Sequence, residues 1–275
     1  MPMDTIPAEG SGDRVRHLPA GRRSDLAHFV AENGQVTVAI LAERYGVSID
    51  TIRRDLDQLD ADGVLVRTHG GAVSGTSRPP IDRGLDVRLR MQPEEKEAIA
   101  ERAAGLVEDG SVIIINAGTT ALAVARNLRD HRDLTIATNN LRLPAEISPK
   151  VFRDLYVFGG SVRSITQATT GPVTLGASPN GGEVDLHCDL ALISVGAVSA
   201  TSGFSTSNLG DAAMMAEMMS RSSKVAVLAD SSKLGRRLFA QVSELGRADY
   251  FVTDARPPAD LEDALAAAGV QVLTP

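Results

Sequence analysis

Residues 47–72 read VSIDTIRRDLDQLDADGVLVRTHGGA, and this stretch decides the fold of the first part of the chain. Ser48 has a side chain suited to cap a helix N-terminus. The apolar residues after it recur every three or four positions and share one face of a helix: Ile49, Ile52, Leu56 and Leu59. Gly63 ends the helix. The β-rich run 64–68 and the turn residues His69–Ala72 then predict a strand, a tight turn and a returning strand.

Two shorter helical patterns precede this stretch. The apolar face of the first consists of Leu26, Phe29 and Val30. The second follows Thr37, a residue type that caps helices, and ends at Gly46. Its apolar positions are Ile40, Leu41 and Tyr45. Three helices followed by a β-hairpin predict a winged helix-turn-helix domain over residues 21–75.

The rest of the chain has a different pattern of apolar residues. A length of 275 residues predicts two domains, at about 100–200 residues each. Residues 76–93 have the Pro and Gly content of a linker, and the aperiodic residues 1–20 are expected to form a mobile tail. Over residues 94–275, helical stretches alternate with apolar β-rich runs: Val112–Asn116, Leu134–Thr138, Leu155–Phe158, Leu190–Val195, Val225–Ala229, Tyr250–Thr253 and Val270–Leu273. This alternation predicts a Rossmann-like α/β domain with a parallel sheet between helices.

The composition is that of an ordinary globular protein, with 43% hydrophobic residues, 23% charged residues and a mean hydropathy of -0.03. Cys188, the single cysteine, excludes an internal disulfide, and no spacing of His, Cys and carboxylates predicts a metal site. The apolar runs are far shorter than the roughly 20 residues that span a membrane, and the first residues lack a secretory pattern. We therefore expect a cytoplasmic protein with no cofactor, no metal and no membrane partner.

The third helix carries residues suited to read DNA. With Ile52 and Leu56 inward, Arg54 lies nearly opposite the core, and Thr51 faces outward near the helix N-terminus. That end of a recognition helix enters the major groove first. Phosphates bind at helix N-termini that have hydroxyl caps, and they also bind to the basic residues of a wing. The predicted DNA-binding residues are Thr37, Ser48, Thr51, Arg53, Arg54, Arg67 and His69, with Arg22 and Arg23 as further phosphate contacts.

Charge alone does not decide this function. The whole chain carries a net charge of -7, and residues 1–75 contain eight arginines against eleven acidic residues. Asp57, Asp60 and Asp62 lie late in the third helix, where they can sit away from a duplex. Two alternatives stay open: Arg53–Asp55 is only a solvated face with local ion pairs, or the helix-turn-helix contacts protein and the chain is a scaffold.

The second domain has polar residues where its predicted strands end. Gly118 and the hydroxyls of Thr119 and Thr120 join a strand to a helix, whose positive end suits a phosphate. Several strand ends meet at one edge of a parallel sheet, and Lys233 is expected to supply the only clustered lysine charge. The predicted ligand-binding residues are Asn116, Gly118, Thr119, Thr120, Asn139, Gly196 and Lys233. The alternative interpretations are a plain strand-to-helix connection and an exposed turn lysine.

Together these motifs resemble the DeoR-type bacterial transcriptional repressors. The resemblance rests on Val47–Leu56 with its arginine pair and on Arg67–Ala72, and it continues through Arg88, Lys96, Asn116–Thr120, Thr138–Asn140 and Ala229–Lys233. It covers about residues 21–275. It implies a winged helix-turn-helix joined to a sugar-phosphate-sensing domain of the sugar-phosphate isomerase and CoA-transferase type, acting as a homo-oligomer, either dimer or tetramer. It also adds Asp211 to the ligand-binding residues.

A sugar-phosphate isomerase carrying a DNA-binding domain is the competing hypothesis. Such an enzyme needs a carboxylate base beside the carbonyl, but Ile193–Val198 contains no carboxylate where isomerase-like relatives have acidic residues. Val198 and Met215 also depart from the pattern of the repressors, which have Asp and a basic residue there. The neighbouring methionines 214, 215, 218 and 219 are expected to be packing residues. The sequence thus predicts a non-enzymatic repressor that binds double-stranded operator DNA and responds to a phosphorylated sugar.

Overall fold

The computed structural model of the chain describes residues 19–33, 35–61, 64–68, 70–74, 84–174 and 186–275. The chain divides into two compact units, Met1–Arg78 and Pro79–Pro275, called here the N-terminal and C-terminal units. His69, residues 75–83 of the predicted linker and nearly all of the predicted tail lie outside the described residues. Within the described ranges, no helix is long and apolar enough to cross a membrane.

The N-terminal unit has the predicted three helices and a wing. Its elements are α1 (Pro19–Asn33), β1 (Gln35–Thr37), α2 (Val38–Tyr45), α3 (Ile49–Ala61), β2 (Leu65–Thr68) and β3 (Gly71–Ser74). The strands form an antiparallel sheet in the order β1-β3-β2. The winged helix-turn-helix is therefore confirmed, and β1 adds a strand that the sequence pattern does not predict.

The core of the N-terminal unit includes most of the predicted apolar positions, among them Leu26, Val30, Leu41, Ile52, Leu56 and Leu59. The prediction of burial is wrong for two residues, because Ile40 is 50% and Ile49 45% exposed. In the first turn of α2 it is Val38 and not Ile40 that packs in the core, and Ile49 is the first residue of α3. Periodicity alone gives the face of a helix but not the point along it where burial starts.

The described part of the C-terminal unit begins with α4 (Leu85–Arg90) and α5 (Pro93–Ala104). The next elements are β4 (Val112–Ile115), α6 (Thr119–Asn127), β5 (Leu134–Thr138), α7 (Leu143–Glu146), β6 (Phe152–Val157), β7 (Ser161–Arg163), β8 (Ala168–Thr170) and β9 (Cys188–Ser194). The last are β10 (Ala197–Ser199), β11 (Gly203–Thr206), α8 (Leu209–Ser220), β12 (Ser222–Leu228), β13 (Ala240–Ser243), β14 (Tyr250–Val252), α9 (Ala259–Ala267) and β15 (Gln271–Leu273). A 3-10 turn follows β12 at Ser231–Lys233. Helix α4 lies inside the segment whose composition predicts a linker.

Seven parallel strands form the central sheet, in the order β15-β14-β12-β9-β4-β5-β6. Each of the seven overlaps one of the predicted β-rich runs, so the parallel-sheet prediction is confirmed. Strands β10, β11 and β13 form a smaller antiparallel sheet, and β7 pairs with β8 as a hairpin.

Two apolar cores cover the faces of this sheet because successive strand side chains point to opposite sides. Ile113 and Ile115 pack with α5 and α6 on one face, whereas Ile114 packs in the core on the other face, which includes α8 and α9. Met214, Met218 and Met219 of α8 are buried in that second core. Their prediction as packing residues is confirmed.

Candidate DNA-binding surface and effector cleft

Two hydroxyl side chains cap helices of the N-terminal unit, as predicted. Thr37 Oγ1 accepts the N–H of Ile40 at 3.4 Å at the start of α2. Ser48 Oγ accepts the N–H of Thr51 at 3.2 Å and lies 2.9 Å from Thr51 Oγ1 at the start of α3. Thr37 and Ser48 are exposed. The positive end of α3 therefore lies beside accessible hydroxyls, an arrangement that suits a phosphate.

The three arginines predicted on α3 and the wing differ in how they are held. Arg53 Nη1 lies 3.2 Å from Asp50 Oδ1, and both side chains are exposed. Arg67, on β2, pairs with Asp57. Arg54 is exposed, and among the described residues of its unit it forms no ion pair. Arg54 can therefore reach a ligand without breaking an internal ion pair.

Arg22 and Asp55 form an ion pair between α1 and α3. Arg22 Nε lies 2.7 Å from Asp55 Oδ2, and the two side chains are only 12% and 9% exposed. The guanidinium of Arg22 is thus engaged within the unit, and its role as a phosphate contact stays a prediction. Asp55 is not part of a solvated face. It lies three residues after the buried Ile52, so helical periodicity places it on the inward arc.

The wing requires a glycine at position 71. A Cβ on Gly71 would lie 2.0 Å from the carbonyl oxygen of Val36 and 2.8 Å from the Cα of Thr37. Strand β3 can approach β1 this closely only without a side chain. Thr37 is also the cap of α2, so this contact fixes the wing to the start of that helix.

A cleft opens in the C-terminal unit at the carboxyl ends of β4, β9 and β12, which are neighbours in the sheet. Its lining residues are Arg88, Met91, Gln92, Lys96, Thr119, Thr120, Ser194, Val195, Ala229, Asp230 and Lys233. Ligands of open α/β sheets bind at this edge.

The start of α6 forms one wall of the cleft. Thr119 and Thr120 are the first residues of this helix, and both line the cleft as predicted. Gly118 lies just before them, where a Cβ would meet Ser194 Oγ at 1.9 Å. The absence of a side chain at Gly118 therefore lets the α6 N-terminus approach the end of β9. Unpaired N–H groups at such a terminus favour an anion.

Three cations line the same cleft: Arg88, Lys96 and Lys233. Lys96 is 7% exposed, and its Nζ donates to the carbonyl oxygens of Arg88, at 2.6 Å, and Met91. Burial lowers the pKa of Lys96 from its usual 10.5 to about 8, while the attraction of Asp230 opposes this and repulsion by Lys233 and Arg88 adds to it.

Asp230 is the carboxylate of the cleft lining. It is 1% exposed, and its Oδ1 accepts hydrogen bonds from the hydroxyl of Ser232 and, at 3.1 Å, from the Ser232 N–H. Its own carbonyl oxygen accepts the N–H of Lys233 at 2.9 Å. Asp230 thus holds the turn that carries Lys233, and its carboxylate adds a fixed acceptor to the cleft lining, to which a ligand hydroxyl can donate.

The other predicted ligand-binding residues do not line this cleft. The amide of Asn116 donates to Ser194 O at 2.9 Å and accepts the Ser194 N–H at 2.8 Å, which ties β4 to β9. Asn139 accepts the Ala117 N–H at 2.7 Å and donates to Thr169 O at 2.8 Å. These amides tie the loops that follow β4 and β5 to β9 and β8.

Gly196 and Asp211 also lie elsewhere. A Cβ at Gly196 would meet a methyl group of Leu238 at 2.6 Å, so this glycine allows close packing. Asp211, in the first turn of α8, pairs with Arg163 of β7. This ion pair joins α8 to the β7–β8 hairpin.

Sequence reasoning missed Arg88, Lys96 and Asp230 as cleft residues. Lys96 corrects the expectation that Lys233 supplies the only clustered lysine charge. Arg88 and Lys96 precede the sheet in the chain, and only the packing of α4 and α5 brings them to its carboxyl edge. Asp230 directly follows the run Val225–Ala229, so the rule that sites gather at strand ends could have found it.

The chain is similar to one family over both of its units. Residues 22–78 match the DeoR-like helix-turn-helix domain, and residues 91–255 match the DeoR C terminal sensor domain. The HTH-type transcriptional regulator GlpR of Haloferax volcanii is 34% identical over 93% of this chain and 98% of its own length. The Glycerol-3-phosphate regulon repressor of Escherichia coli is 29% identical over 89% of this chain and 94% of its own. Ribose 5-phosphate isomerase A from Neisseria gonorrhoeae matches at a TM-score of 0.37 and 17% identity, over 52% of this chain and 54% of that one.

Proposed function

This chain belongs to the DeoR family of transcriptional regulators, and from that premise we propose that it is a cytoplasmic, homo-oligomeric repressor whose hold on an operator is controlled by a phosphorylated sugar in the cleft. The N-terminal unit supplies a capped recognition helix and a wing. The C-terminal unit supplies the ligand site. Selection of bound fragments from genomic DNA tests the DNA-binding part directly, because a sequence-specific repressor enriches a shared motif and a protein-binding scaffold enriches none.

One observation carries the ligand class: three cations and the N-terminus of α6 converge on a cleft that has one buried carboxylate. A phosphate matches the cations and the helix terminus. The Asp230 carboxylate would repel a second anionic group but accepts hydrogen bonds from sugar hydroxyls. A compound with one phosphate and several hydroxyls therefore matches the chemistry of the lining residues.

An isomerase is the second candidate, since Asp230 supplies a carboxylate that Ile193–Val198 lacks. In our proposal this carboxylate is held by Ser232 and binds ligand without abstracting a proton. We therefore expect no interconversion of pentose or hexose phosphates by micromolar protein, followed by NMR over many hours. Sustained turnover that Asp230→Asn abolishes would establish an enzyme instead.

Arg54→Ala should weaken binding to the selected operator by about 1–3 kcal/mol, roughly 5- to 150-fold, and relax base discrimination. The reason is that Arg54 is exposed on α3 and engaged in no ion pair in the described part of its unit. Fluorescence anisotropy on operator and scrambled duplexes measures both effects. Arg256→Ala, an exposed arginine of the C-terminal unit, serves as the control. Equal losses on both duplexes would make Arg54 a phosphate contact rather than a base reader.

Affinity for the phosphorylated ligand should fall as the pH rises through about 8. Below that pH Lys96 is charged and attracts the phosphate; above it the cleft loses one positive charge. The affinity should drop by up to tenfold per pH unit between about pH 8 and 9.5. Calorimetry from pH 7 to 9.5 measures this slope, and Lys96→Gln, which has no titrating amine, should flatten it. An equally steep slope in Lys96→Gln would contradict the assignment.

The same pKa makes folding stability depend on pH. The unfolded chain, with a lysine pKa near 10.5, binds more protons than the folded chain between about pH 8 and 10.5. The contribution of Lys96 to stability therefore rises with pH across that window and is constant below it.

A further inference from the structure

The C-terminal unit exposes large apolar side chains unevenly. The described ones are Val87, Leu141, Tyr156, Val157, Val162, Ile165, Leu209 and Phe239. All except Phe239 lie on or beside edge strand β6 and the β7–β8 hairpin. Val162 is 60% and Leu209 64% exposed. Clusters of exposed apolar residues of this kind mark interaction sites, whereas single ones do not.

Backbone contacts bring the segments that carry these residues together, and we call the region around β6 and the β7–β8 hairpin the hairpin surface. The N–H of Leu141 donates to the carbonyl oxygen of Gln167 at 3.0 Å, and the N–H of Leu85 donates to that of Ile165 at 3.0 Å. These bonds bring the loop after β5 and the start of α4 against the hairpin. Gly210 approaches the Thr170 side chain, so the start of α8 lies there as well.

Among the described residues, β6 and β7 each have one edge without a strand partner, whereas the second edge of β8 is bonded to residues 139–141. Strand β6 is the last strand of the seven-stranded sheet, and β7 and β8 form a sheet of two strands among the described elements. A two-stranded sheet is only marginally stable by itself. Open edges offer N–H and C=O groups to another chain, and two identical edges can pair antiparallel about a twofold axis.

The charge of this surface favours a second copy of the chain as its occupant. Between Leu155 and Thr170 the one charged residue is Arg163, which is paired with Asp211. Charged residues next to Leu155, Val87 and Leu141 also form ion pairs, Arg153 with Asp154 and Asp86 with Arg142. Two copies with a net charge of -7 each repel one another overall, and this repulsion is smallest where the facing surfaces carry no unpaired charge. A surface whose charges are paired within the chain also offers little to a nucleic acid backbone.

We propose that the hairpin surface is the interface through which two copies of this chain associate. The proposal rests on the proposed homo-oligomer and names the surface that forms it. It also places the interface beside the cleft, since Leu85 of α4 contacts the hairpin while Arg88 of the same helix lines the cleft. A ligand that engages Arg88 thereby acts on a helix that supports the interface.

Val162→Asp should separate the copies, because it places a charge in an apolar interface. We expect the dissociation constant of the dimer to rise about 100-fold or more, measured by analytical ultracentrifugation of the full chain over a concentration series. Phe239→Asp is the matched control, since Phe239 is 71% exposed in the same unit but outside the surface. It should leave the dissociation constant unchanged.

Val162→Cys provides a test that does not depend on destabilising the protein. Cys188, the native cysteine, is buried and its pKa is raised by burial to about 11, so it should not compete. Mild oxidation should form a disulfide between the introduced thiols of two copies. A bifunctional maleimide should crosslink the same two thiols. The proposal is overturned if the parent protein is monomeric or if the Val162→Asp variant assembles to the same molecular mass as the parent. It is also overturned if neither reagent links two copies of Val162→Cys.

Operator binding separates this proposal from the proposed function. If two copies associate through the hairpin surface but genomic selection yields no shared motif, the repressor function fails and the interface stands. If the motif is found but the Val162→Asp variant assembles to the same molecular mass as the parent protein, the repressor function stands and the interface lies elsewhere.

Discussion

Asp55→Ala should lower the free energy of unfolding of the N-terminal unit by about 3–5 kcal/mol, because it leaves the Arg22 guanidinium buried without its partner. A loss of this size is on the scale of the whole stability of so small a domain. Operator binding should therefore disappear near 37 °C although Asp55 faces away from the DNA-binding surface. Thermal unfolding followed by circular dichroism measures the change.

Asp57→Ala is the matched control on the same helix. Asp57 is 53% exposed in its ion pair with Arg67, and exposed pairs contribute about 0–1 kcal/mol. Replacing both Arg22 and Asp55 with alanine should recover part of the loss, since no uncompensated charge remains. If the Asp55→Ala variant unfolds at the same temperature as the parent protein, the Arg22–Asp55 pair does not stabilise the unit.

Replacing both Thr119 and Lys233 with alanine should weaken binding of a phosphorylated sugar by roughly 2–4 kcal/mol, about 30- to 1000-fold. The double variant removes one hydroxyl and one cation from the lining of the cleft. Calorimetry measures the loss with whichever of ribose 5-phosphate, fructose 6-phosphate or glycerol 3-phosphate binds the parent. Lys233 supplies most of the effect because hydrogen bonds to charged groups are the stronger ones.

Lys224→Ala is the control for this variant. Lys224 lies near the amino end of β12, the strand whose carboxyl end carries Lys233, and it is exposed. Its loss changes the net charge as Lys233→Ala does but leaves the cleft intact. An equal weakening by Lys224→Ala would mean that the ligand responds to overall charge and not to the cleft.

The parallel sheet could be predicted from the sequence because its signal is local. A run such as Val225–Ala229 is apolar throughout, as required of a strand buried on both faces. The short strand β1 gives no such signal. Its three residues Gln35–Thr37 are extended because Gly71 lets β3 approach them, and that contact joins residues far apart in the chain.

The cleft was only partly predictable for a similar reason. Thr119 and Lys233 stand at strand ends and could be found by position. Lys96 stands on a helix and reaches the cleft only through the corner between α4 and α5, where its ammonium binds two backbone carbonyl groups. Asn139 also stands at a strand end, yet its amide is used to fix loops. Strand order, which the sequence does not reveal, decides which strand ends face one another.

The central claim is that a phosphorylated sugar in the cleft controls operator binding. Anisotropy of a labelled operator, titrated with phosphorylated sugars and with their unphosphorylated counterparts, tests it most directly. A ligand shifts this equilibrium only if it binds the free and DNA-bound forms with different affinity. We predict that a phosphorylated sugar changes operator affinity, that its unphosphorylated form does not, and that the Thr119→Ala, Lys233→Ala double variant fails to respond. An operator complex indifferent to every phosphorylated sugar, or a double variant that responds as readily as the parent, would contradict the claim.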